Sequence, residues 1–257
     1  MRHIGRYRLD AVHGSGAFAT VWRGFDTELE TPVAVKVLAE NWSHHADVRE
    51  RFLAEARLLR RIQSDRVVRV HDVGVHDSGV GGGQPYFVMD FIDGGTLTDV
   101  ADGTLDVERA LVLAAQAARG VEVVHAAGAV HRDVKPSNLL HAVDPDGSER
   151  VLVADLGSAK RLAEASGITV TTGTPSYMAP EQALGRPIDE RSDVYALGVV
   201  TYELLTGAAP FDVSDPIALL HRTAADRPPA TSGPRGIDDV LTRALALDPA
   251  QRYARAE

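Results

Sequence analysis

The chain has 257 residues, a formal net charge of −9 and no cysteine, a length that allows one large domain or two lobes with a shared interface. The acidic balance argues against nucleic acid as the main partner, because phosphate backbones favour clustered lysine and arginine. The absence of cysteine excludes disulfides and cysteine-ligated zinc, and it fits a reducing compartment.

No targeting or membrane segment is evident in the sequence. The N-terminal residues lack the apolar core of a signal peptide. The most apolar segments, residues 110–127 and 194–205, are each interrupted by Arg, Glu or Tyr, and neither reaches an uninterrupted membrane-spanning length. We therefore expect no membrane span in this chain.

The first part of the chain is rich in predicted strands. Residues 6–38 alternate and contain many β-branched side chains, which predicts three short strands. The first two are separated by Gly14-Ser15-Gly16. Glycines let a backbone approach phosphates closely and point successive N–H groups at them, although the same tripeptide also forms ordinary hairpin turns.

The third predicted strand ends in a lysine, at Val33-Ala34-Val35-Lys36. A buried strand that ends in a lysine needs a partner for the charge. Residues 47–61 have the pattern of an amphipathic helix, and Glu55 lies on or beside its apolar stripe. The helix pattern alone favours neither of two interpretations: Glu55 as the partner of Lys36, or Glu55 as one of several solvated charges.

The middle of the chain contains two more predicted strands and a long helix. The strands are residues 67–75 and 86–92, and the glycine-rich insert between them, residues 77–83, predicts an exposed loop. Helical periodicity follows over residues 106–127.

The octapeptide from His131 to Asn138 carries the strongest chemical signal. Phosphoryl transfer needs an acceptor for the proton of the nucleophile, a positive charge for the phosphate and an oxygen ligand for Mg²⁺. Asp133, Lys135 and Asn138 supply these three groups within one short loop. The octapeptide by itself is also compatible with a charged surface turn, since its residue types are common turn formers.

The remainder of the chain predicts one strand, a threonine-rich loop and a helix. The strand at residues 151–154 ends at Asp155-Leu156-Gly157, and the loop from residue 158 to 179 precedes Ala179-Pro180-Glu181. A helix is predicted to begin at Ser192-Asp193, with either residue as its cap.

Together these segments resemble the catalytic domain of bacterial serine/threonine protein kinases of the Hanks type, also called eukaryotic-like. The octapeptide resembles the kinase catalytic loop H-R-D-x-x-x-x-N. Lys135, two residues after Asp133, makes it similar to the serine/threonine branch of that family. Only three lysines occur in the chain, and Lys36 and Lys135 lie where kinases use lysine. The resemblance extends from about residue 7 to residue 253, with Ala19 in place of the third loop glycine and Leu156 in place of the D-F-G phenylalanine.

The resemblance implies an α+β, two-lobed protein-kinase fold over residues 1–257. A small antiparallel β N-lobe with one regulatory helix would cover about residues 1–89, a hinge 90–95 and a larger, mainly helical C-lobe 96–257. The fold would normally continue with another helix beyond Glu257. Location in the cytoplasm is expected, either alone or as the cytoplasmic part of a longer membrane-anchored protein.

The resemblance also implies a role for each motif residue. The expected catalytic residues are Asp133, Lys135 and Asn138, and the expected metal ligands are Asn138 and Asp155. The expected nucleotide-binding residues are Gly14, Ser15, Gly16, Val21, Ala34, Lys36, Glu55, Met89, Asp90, Ile92 and Leu140. Regulation is expected at Thr169, Thr171, Thr172 and Arg132, and a structural role for Glu181, Asp193 and Arg252.

The implied function is transfer of the γ-phosphate of ATP to serine or threonine hydroxyls of proteins, including the chain's own activation loop. ATP and Mg²⁺, with Mn²⁺ as an alternative, would be the cofactors, and two copies could associate for phosphorylation in trans. A small-molecule kinase of the same fold is a rival, but it usually lacks an A-P-E segment. A pseudokinase scaffold is a second rival, and it would normally have lost Lys36, Asp133 or Asp155.

Overall fold

The structure of the chain is a computed structural model, which describes residues 2–76, 83–101, 103, 105–156, 175–213, 222–223, 226–234 and 236–256. These residues form two compact units. The first contains the described residues up to 64 and from 68 to 91, and the second contains residues 65–67 and the described residues after 91. The two units divide between residues 91 and 92, and the grouping of residues 65–67 with the second unit was not predicted.

The first unit is a six-stranded sheet with one helix. The antiparallel strands are β1 (Arg2–Ile4), β2 (Tyr7–Ser15), β3 (Ala19–Asp26), β4 (Thr31–Leu38), β5 (Val70–His76) and β6 (Gln84–Asp90). Their order across the sheet is β1-β2-β3-β4-β6-β5, and the helix is α1 (Ala46–Arg61). The predicted strands and helix of this unit are all present, while β1 was not predicted because three residues are too short for a periodic signal.

Strand register assigns the two faces of this sheet. Trp22 and Val35 lie opposite each other on β3 and β4. They pack with an apolar cluster of buried residues: Ile4, Tyr7, Leu9, Val33, Val37, Tyr86 and Val88. One register position away, Val21 and Lys36 lie opposite each other, so they face the other side, since side chains alternate along a strand. The sheet therefore separates an apolar core from the face that carries Lys36.

The second unit is mainly helical, with one small hairpin. Its helices are α2 (Leu97–Val100), α3 (Val107–Ala126), α4 (Pro180–Ala183), α5 (Glu190–Thr206) and α6 (Ile237–Ala244). The antiparallel hairpin consists of β7 (Leu139–Val143) and β8 (Glu149–Val153). The predicted helix and strand are present as α3 and β8, whereas β7, which directly follows the octapeptide, was not predicted.

The start of α5 differs from the sequence prediction. The helix begins at Glu190, and the Asp189 side chain caps it by accepting a hydrogen bond from the Arg191 N–H at 2.9 Å. Ser192 and Asp193 are instead buried inside the first turn. The prediction that one of them caps the helix was wrong, because both side chains are used in contacts with other parts of the unit.

Helix α3 packs closely against β8 through Gly120. A Cβ atom at this position would lie 2.7 Å from the Val153 side chain and 3.1 Å from the Arg66 carbonyl oxygen, so only glycine fits there. This packing holds the strand that leads into Asp155. Over the described part of the chain, no helix has the length and apolar character needed to cross a membrane.

Candidate active site

In the first unit, Lys36 and Glu55 form a buried ion pair. The Lys36 Nζ atom donates to Glu55 Oε1 at 2.9 Å, across β4 and α1. Glu55 is only 3% exposed, and the Lys36 ammonium also lies 5.5 Å above the centre of the Phe87 ring. Removing one partner would leave a buried charge without compensation, so the pair fixes the direction in which Lys36 points from the sheet.

The expected nucleotide-binding residues of this unit share one face of the sheet. Ala34 on β4 lies opposite Met89 on β6, and Val21 lies opposite Lys36, so all four point to the same side. The Asp90 N–H already donates to the Arg69 carbonyl at 3.1 Å. Only the carbonyl of Asp90 would therefore remain to accept a hydrogen bond from a nucleotide base.

In the second unit, the three expected catalytic residues are in direct contact. Lys135 Nζ donates to Asp133 Oδ2 at 2.8 Å, and Asn138 Nδ2 donates to the same oxygen at 3.1 Å and to the Asp133 carbonyl at 2.7 Å. The Asp133 side chain is 16% exposed. The carboxylate is thus held in one orientation while part of its surface stays open.

His131 ties this loop to the residue before Asp155. Its Nδ1 atom accepts from the Asp133 N–H at 3.3 Å, so Nε2 carries the proton and donates to the Ala154 carbonyl at 3.0 Å. Arg132 and Asp155 have φ of 69° and 54°, in the left-handed region that costs energy for residues other than glycine. Two of the three non-glycine residues with positive φ in the described chain therefore carry expected functional groups.

Asp193 at the start of α5 holds the backbone of the catalytic loop. Its Oδ2 accepts from the His131 N–H at 2.7 Å, and its Oδ1 accepts from the Arg132 N–H at 2.7 Å. Oδ2 also contacts His125 Nε2 on α3 at 2.8 Å. One buried carboxylate therefore joins two helices to the loop that carries Asp133.

The stability of this junction is expected to fall as pH rises, because its contacts raise the pKa of His125. Burial lowers the pKa of His125, but the hydrogen bond and charge of Asp193, with the charges of Glu190 and Glu122, outweigh it and raise the pKa above 6.5. A raised folded-state pKa contributes stability below the unfolded value of 6.5 and loses it as pH rises through the folded-state value.

Urea unfolding at a series of pH values, with wild type beside His125→Gln, measures this effect. The wild type should lose unfolding free energy above pH 6.5, and the variant should lack that part of the slope. Parallel slopes for the two proteins would show that His125 does not titrate in this range.

A second buried ion pair lies farther along the unit, between Glu181 on α4 and Arg252. The guanidinium contacts both carboxylate oxygens, at 2.7 and 2.9 Å, and Ser192 Oγ donates to Glu181 Oε1 at 2.6 Å. Burial alone would raise the pKa of Glu181, but Arg252 and Ser192 hold it below its usual value. Both groups of the pair are therefore charged, and the pair joins α4 to the segment that contains Arg252.

Comparison with known proteins identifies the family. The sequence model of the protein kinase domain family matches residues 7–257 of this chain. The chain belongs to the protein kinase family. It is 38% identical over 256 residues to the serine/threonine-protein kinase PknA of Mycobacterium tuberculosis, covering 97% of this chain and 58% of that protein. It is 35% identical over 268 residues to the serine/threonine-protein kinase PksC of Streptomyces coelicolor, covering 98% and 47%.

The kinase domain of Mycobacterium tuberculosis PknI has a similar crystal structure. Its TM-score is 0.71 at 27% identity, and the match covers 99% of this chain and 94% of the other. These similarities confirm the predicted bacterial serine/threonine protein kinase domain and its α+β protein-kinase fold. This kinase chain spans about half the length of the curated relatives it matches, and its family uses ATP, a divalent metal ion and protein substrates.

Several expected site residues of the kinase do not enter the contacts above. Gly14 and Ser15 end β2, and Gly16 forms the turn after it. Ile92 and Leu140 belong to the second unit, where Leu140 lies on β7. Thr169, Thr171, Thr172 and Gly157 lie outside the described residues.

Gln182 is one of the supporting side chains that the sequence did not reveal. Gln182 donates through Nε2 to the Arg132 carbonyl at 2.9 Å and accepts through Oε1 from the Ala179 N–H at 3.0 Å. It thereby connects the A-P-E segment to the catalytic loop. A glutamine after this motif gives no local signal, so only the folded contacts reveal its role.

The second unit carries Asn138 and Asp155, the two residues expected to bind a divalent cation together with nucleotide phosphates. Within the residues described, no group of three or more His, Cys, Asp or Glu side chains is arranged to hold a metal alone. The Asn138 amide nitrogen is used by Asp133, which leaves Oδ1 as its ligand atom. Mg²⁺ binds few protein oxygens when phosphates and waters complete its shell, so one carboxylate and one amide oxygen are of a suitable type and number.

Proposed function

We propose that this kinase transfers the γ-phosphate of ATP to serine and threonine hydroxyls of proteins, its own activation loop included. The observation that carries the proposal is the Asp133 carboxylate, held by Lys135 at 2.8 Å and Asn138 at 3.1 Å. A fixed carboxylate beside an ammonium group suits a reaction in which one group takes a proton and the other compensates phosphate charge.

The first unit acts on the nucleotide. Lys36, aligned by Glu55, would neutralise charge on the ATP phosphates. Val21, Ala34 and Met89 would contact the adenine ring from the same face of the sheet. These contacts position ATP rather than take part in bond making.

The second unit acts on the acceptor. The Asp133 carboxylate would orient the hydroxyl and accept its proton while the oxygen bonds to the γ-phosphorus. The bond from that phosphorus to the β–γ bridging oxygen breaks, and ADP leaves. Lys135 would compensate the charge of the transferred phosphoryl group, since its ammonium lies beside Asp133.

Asn138 and Asp155 would hold the divalent cation, which we propose is Mg²⁺, with Mn²⁺ as an alternative. When bound, the cation would offset the charge of the nucleotide phosphates. The contribution of the chain is to fix the two oxygen ligands. The Asn138 side chain is oriented by Asp133. The Asn138 backbone carbonyl accepts a hydrogen bond at 2.9 Å from the N–H of Ala154, the residue before Asp155.

Regulation by phosphate is part of the proposal. The backbone of Arg132 is held by Asp193 and Gln182, and within the described part of the chain its guanidinium forms no ion pair with a carboxylate. A phosphothreonine is a strong partner for such a group. We place the activating phosphate at Thr169 or Thr171, with Thr172 as the third choice. Two associated copies would phosphorylate each other at this site.

Location in the cytoplasm is also proposed. ATP is available there, and the lack of cysteine fits a reducing compartment.

Incubation with ATP labelled at the γ-position tests the function. Wild type with Mg²⁺ should label protein serine and threonine, with label mapping to Thr169, Thr171 or Thr172, whereas ATP labelled at the α-position should give none. Lys36→Met should lower the rate by roughly 10²–10³-fold, because a charge-stabilising group is lost. Arg60→Met, which removes an exposed charge from the end of α1, should leave it unchanged.

Wild type that binds ATP but labels no acceptor would contradict the proposal and favour a binding scaffold. Label confined to a small molecule would favour the small-molecule kinase.

A further inference from the structure

The turn between β4 and α1 contacts the tip of the glycine-rich loop, in the first unit. Trp42 ends the short 3-10 turn Glu40–Trp42. Its indole Nε1 donates to the Ala17 carbonyl at 2.9 Å. The Phe18 side chain, 8% exposed, packs on the indole with ring centres 5.1 Å apart. The tip of the loop is therefore held by a hydrogen bond and by a ring contact.

The hydrogen bond to Ala17 sets the direction of the next N–H group. A trans peptide is planar, so its C=O and N–H point in opposite directions. Because Trp42 holds the Ala17 carbonyl, the Phe18 N–H of the same peptide points away from the indole. The Phe18 carbonyl is held in turn by the Ala39 N–H at 2.8 Å, which directs the Ala19 N–H in the same manner.

Among the described residues, the Phe18 N–H group donates no hydrogen bond to another residue. Backbone N–H groups that follow one another in a turn form sites for anions. Two consecutive N–H groups with fixed directions at the tip of a glycine-rich loop are therefore prepared for phosphate oxygens, with less ordering required on binding.

We propose that Trp42 is a positioning residue for the nucleotide phosphates. Its Nε1–H orients the Phe18 N–H through the Ala17 carbonyl, while its ring keeps Phe18 packed. The inference rests on the proposed function, because it takes ATP as the ligand of this loop. It predicts that loss of the indole N–H weakens binding of phosphate-bearing ligands selectively.

Calorimetric titration of ADP with Mg²⁺, and of adenosine, tests the proposal with Trp42→Phe. This variant keeps an aromatic ring against Phe18 and loses the donor. Its Kd for ADP should rise roughly 3- to 10-fold, the effect of one neutral hydrogen bond, while its Kd for adenosine should stay within about twofold of wild type. In turnover assays, KM for ATP should rise and kcat should change little.

Trp22→Phe is the matched control, since it makes the same change at the only other tryptophan of the chain. Trp22 packs against the apolar cluster on the opposite face of the sheet, so neither Kd should change. Trp42→Met, an apolar side chain without any donor, should also weaken ADP binding more than adenosine binding. It keeps the proposal testable if the phenylalanine variant folds poorly.

Equal weakening of ADP and adenosine, or no weakening of either, in a folded variant would overturn the role of Trp42 and leave the proposed function standing. Wild type that binds neither ligand would overturn the proposed function and this inference together.

Discussion

Replacement of Asp133 by Asn is expected to lower kcat for phosphoryl transfer by roughly 10²–10⁴-fold, the usual contribution of a positioned proton acceptor. The asparagine has the same shape and can still accept from Lys135 and Asn138, which now hold the carboxylate at 2.8 and 3.1 Å. It cannot take the proton of the hydroxyl. The loss should therefore appear in kcat, with KM for ATP close to that of wild type.

Steady-state kinetics on a peptide substrate, with thermal unfolding in parallel, would measure this effect. Asp146→Asn is a suitable control, because Asp146 lies in the exposed β7–β8 turn and accepts hydrogen bonds from Ser148. It should have wild-type kinetics. A kcat for Asp133→Asn within about tenfold of wild type would assign proton acceptance to another group.

Site residues that lie within short contiguous motifs could be predicted from the sequence. Asp133, Lys135 and Asn138 lie within six consecutive positions, so their proximity is a property of one loop, and their chemistry can be read from residue type. The pairing of Lys36 with Glu55 was different, since the helix pattern by itself left Glu55 equally suited to solvent. Only the order of all the motifs favoured the ion pair.

Side chains that support the site from distant parts of the chain could not be predicted from the sequence. His125 is a single histidine in an alanine-rich helix, and only the folded contact with Asp193 distinguishes it from an ordinary core residue. Trp42 occupies a turn without any periodic pattern, and its partner is a backbone carbonyl 25 positions away. Backbone partners leave no trace in residue type, so such contacts cannot be inferred from composition or spacing.

The cap of α5 shows how tertiary demand changes a local preference. Asp189, Ser192 and Asp193 are all good capping residues. The sequence pointed to the last two, but Asp193 is needed by the N–H groups of the catalytic loop and Ser192 by Glu181. Asp189 then remains for the cap. The choice among equivalent residues was made by buried partners far away in sequence.

The Glu181–Arg252 pair is expected to give the largest effect on stability. Arg252→Met should lower the free energy of unfolding by about 3–5 kcal/mol, because Glu181, only 4% exposed, would keep a buried charge without its partner. For a chain of this length that corresponds to a Tm lower by roughly 6–20 °C. Arg57→Met removes the cation of the exposed pair with Glu50 and should shift Tm by less than about 2–4 °C.

The pH dependence of the same variant separates loss of charge pairing from loss of packing. In wild type the pKa of Glu181 lies below its usual value of 4.5, so this carboxylate stabilises the fold above that pH and its contribution is lost as pH falls through the folded-state value. Without Arg252, burial raises the pKa of Glu181, and protonation removes the buried charge. The Tm difference between wild type and Arg252→Met should therefore narrow toward acid pH, and a constant difference would show that packing accounts for the loss.

A double variant with Glu181→Met and Arg252→Met tests how far the pair can be replaced by apolar contacts. Removing both charges relieves the unpaired carboxylate, and buried pairs are often exchanged for apolar residues at little cost. Arg252, however, also donates to the carbonyls of Arg191, Ala246 and Leu247, and unpaired buried carbonyls carry their own penalty. We therefore expect the double variant to recover only part of the stability that Arg252→Met loses, since the guanidinium binds the backbone as well as Glu181.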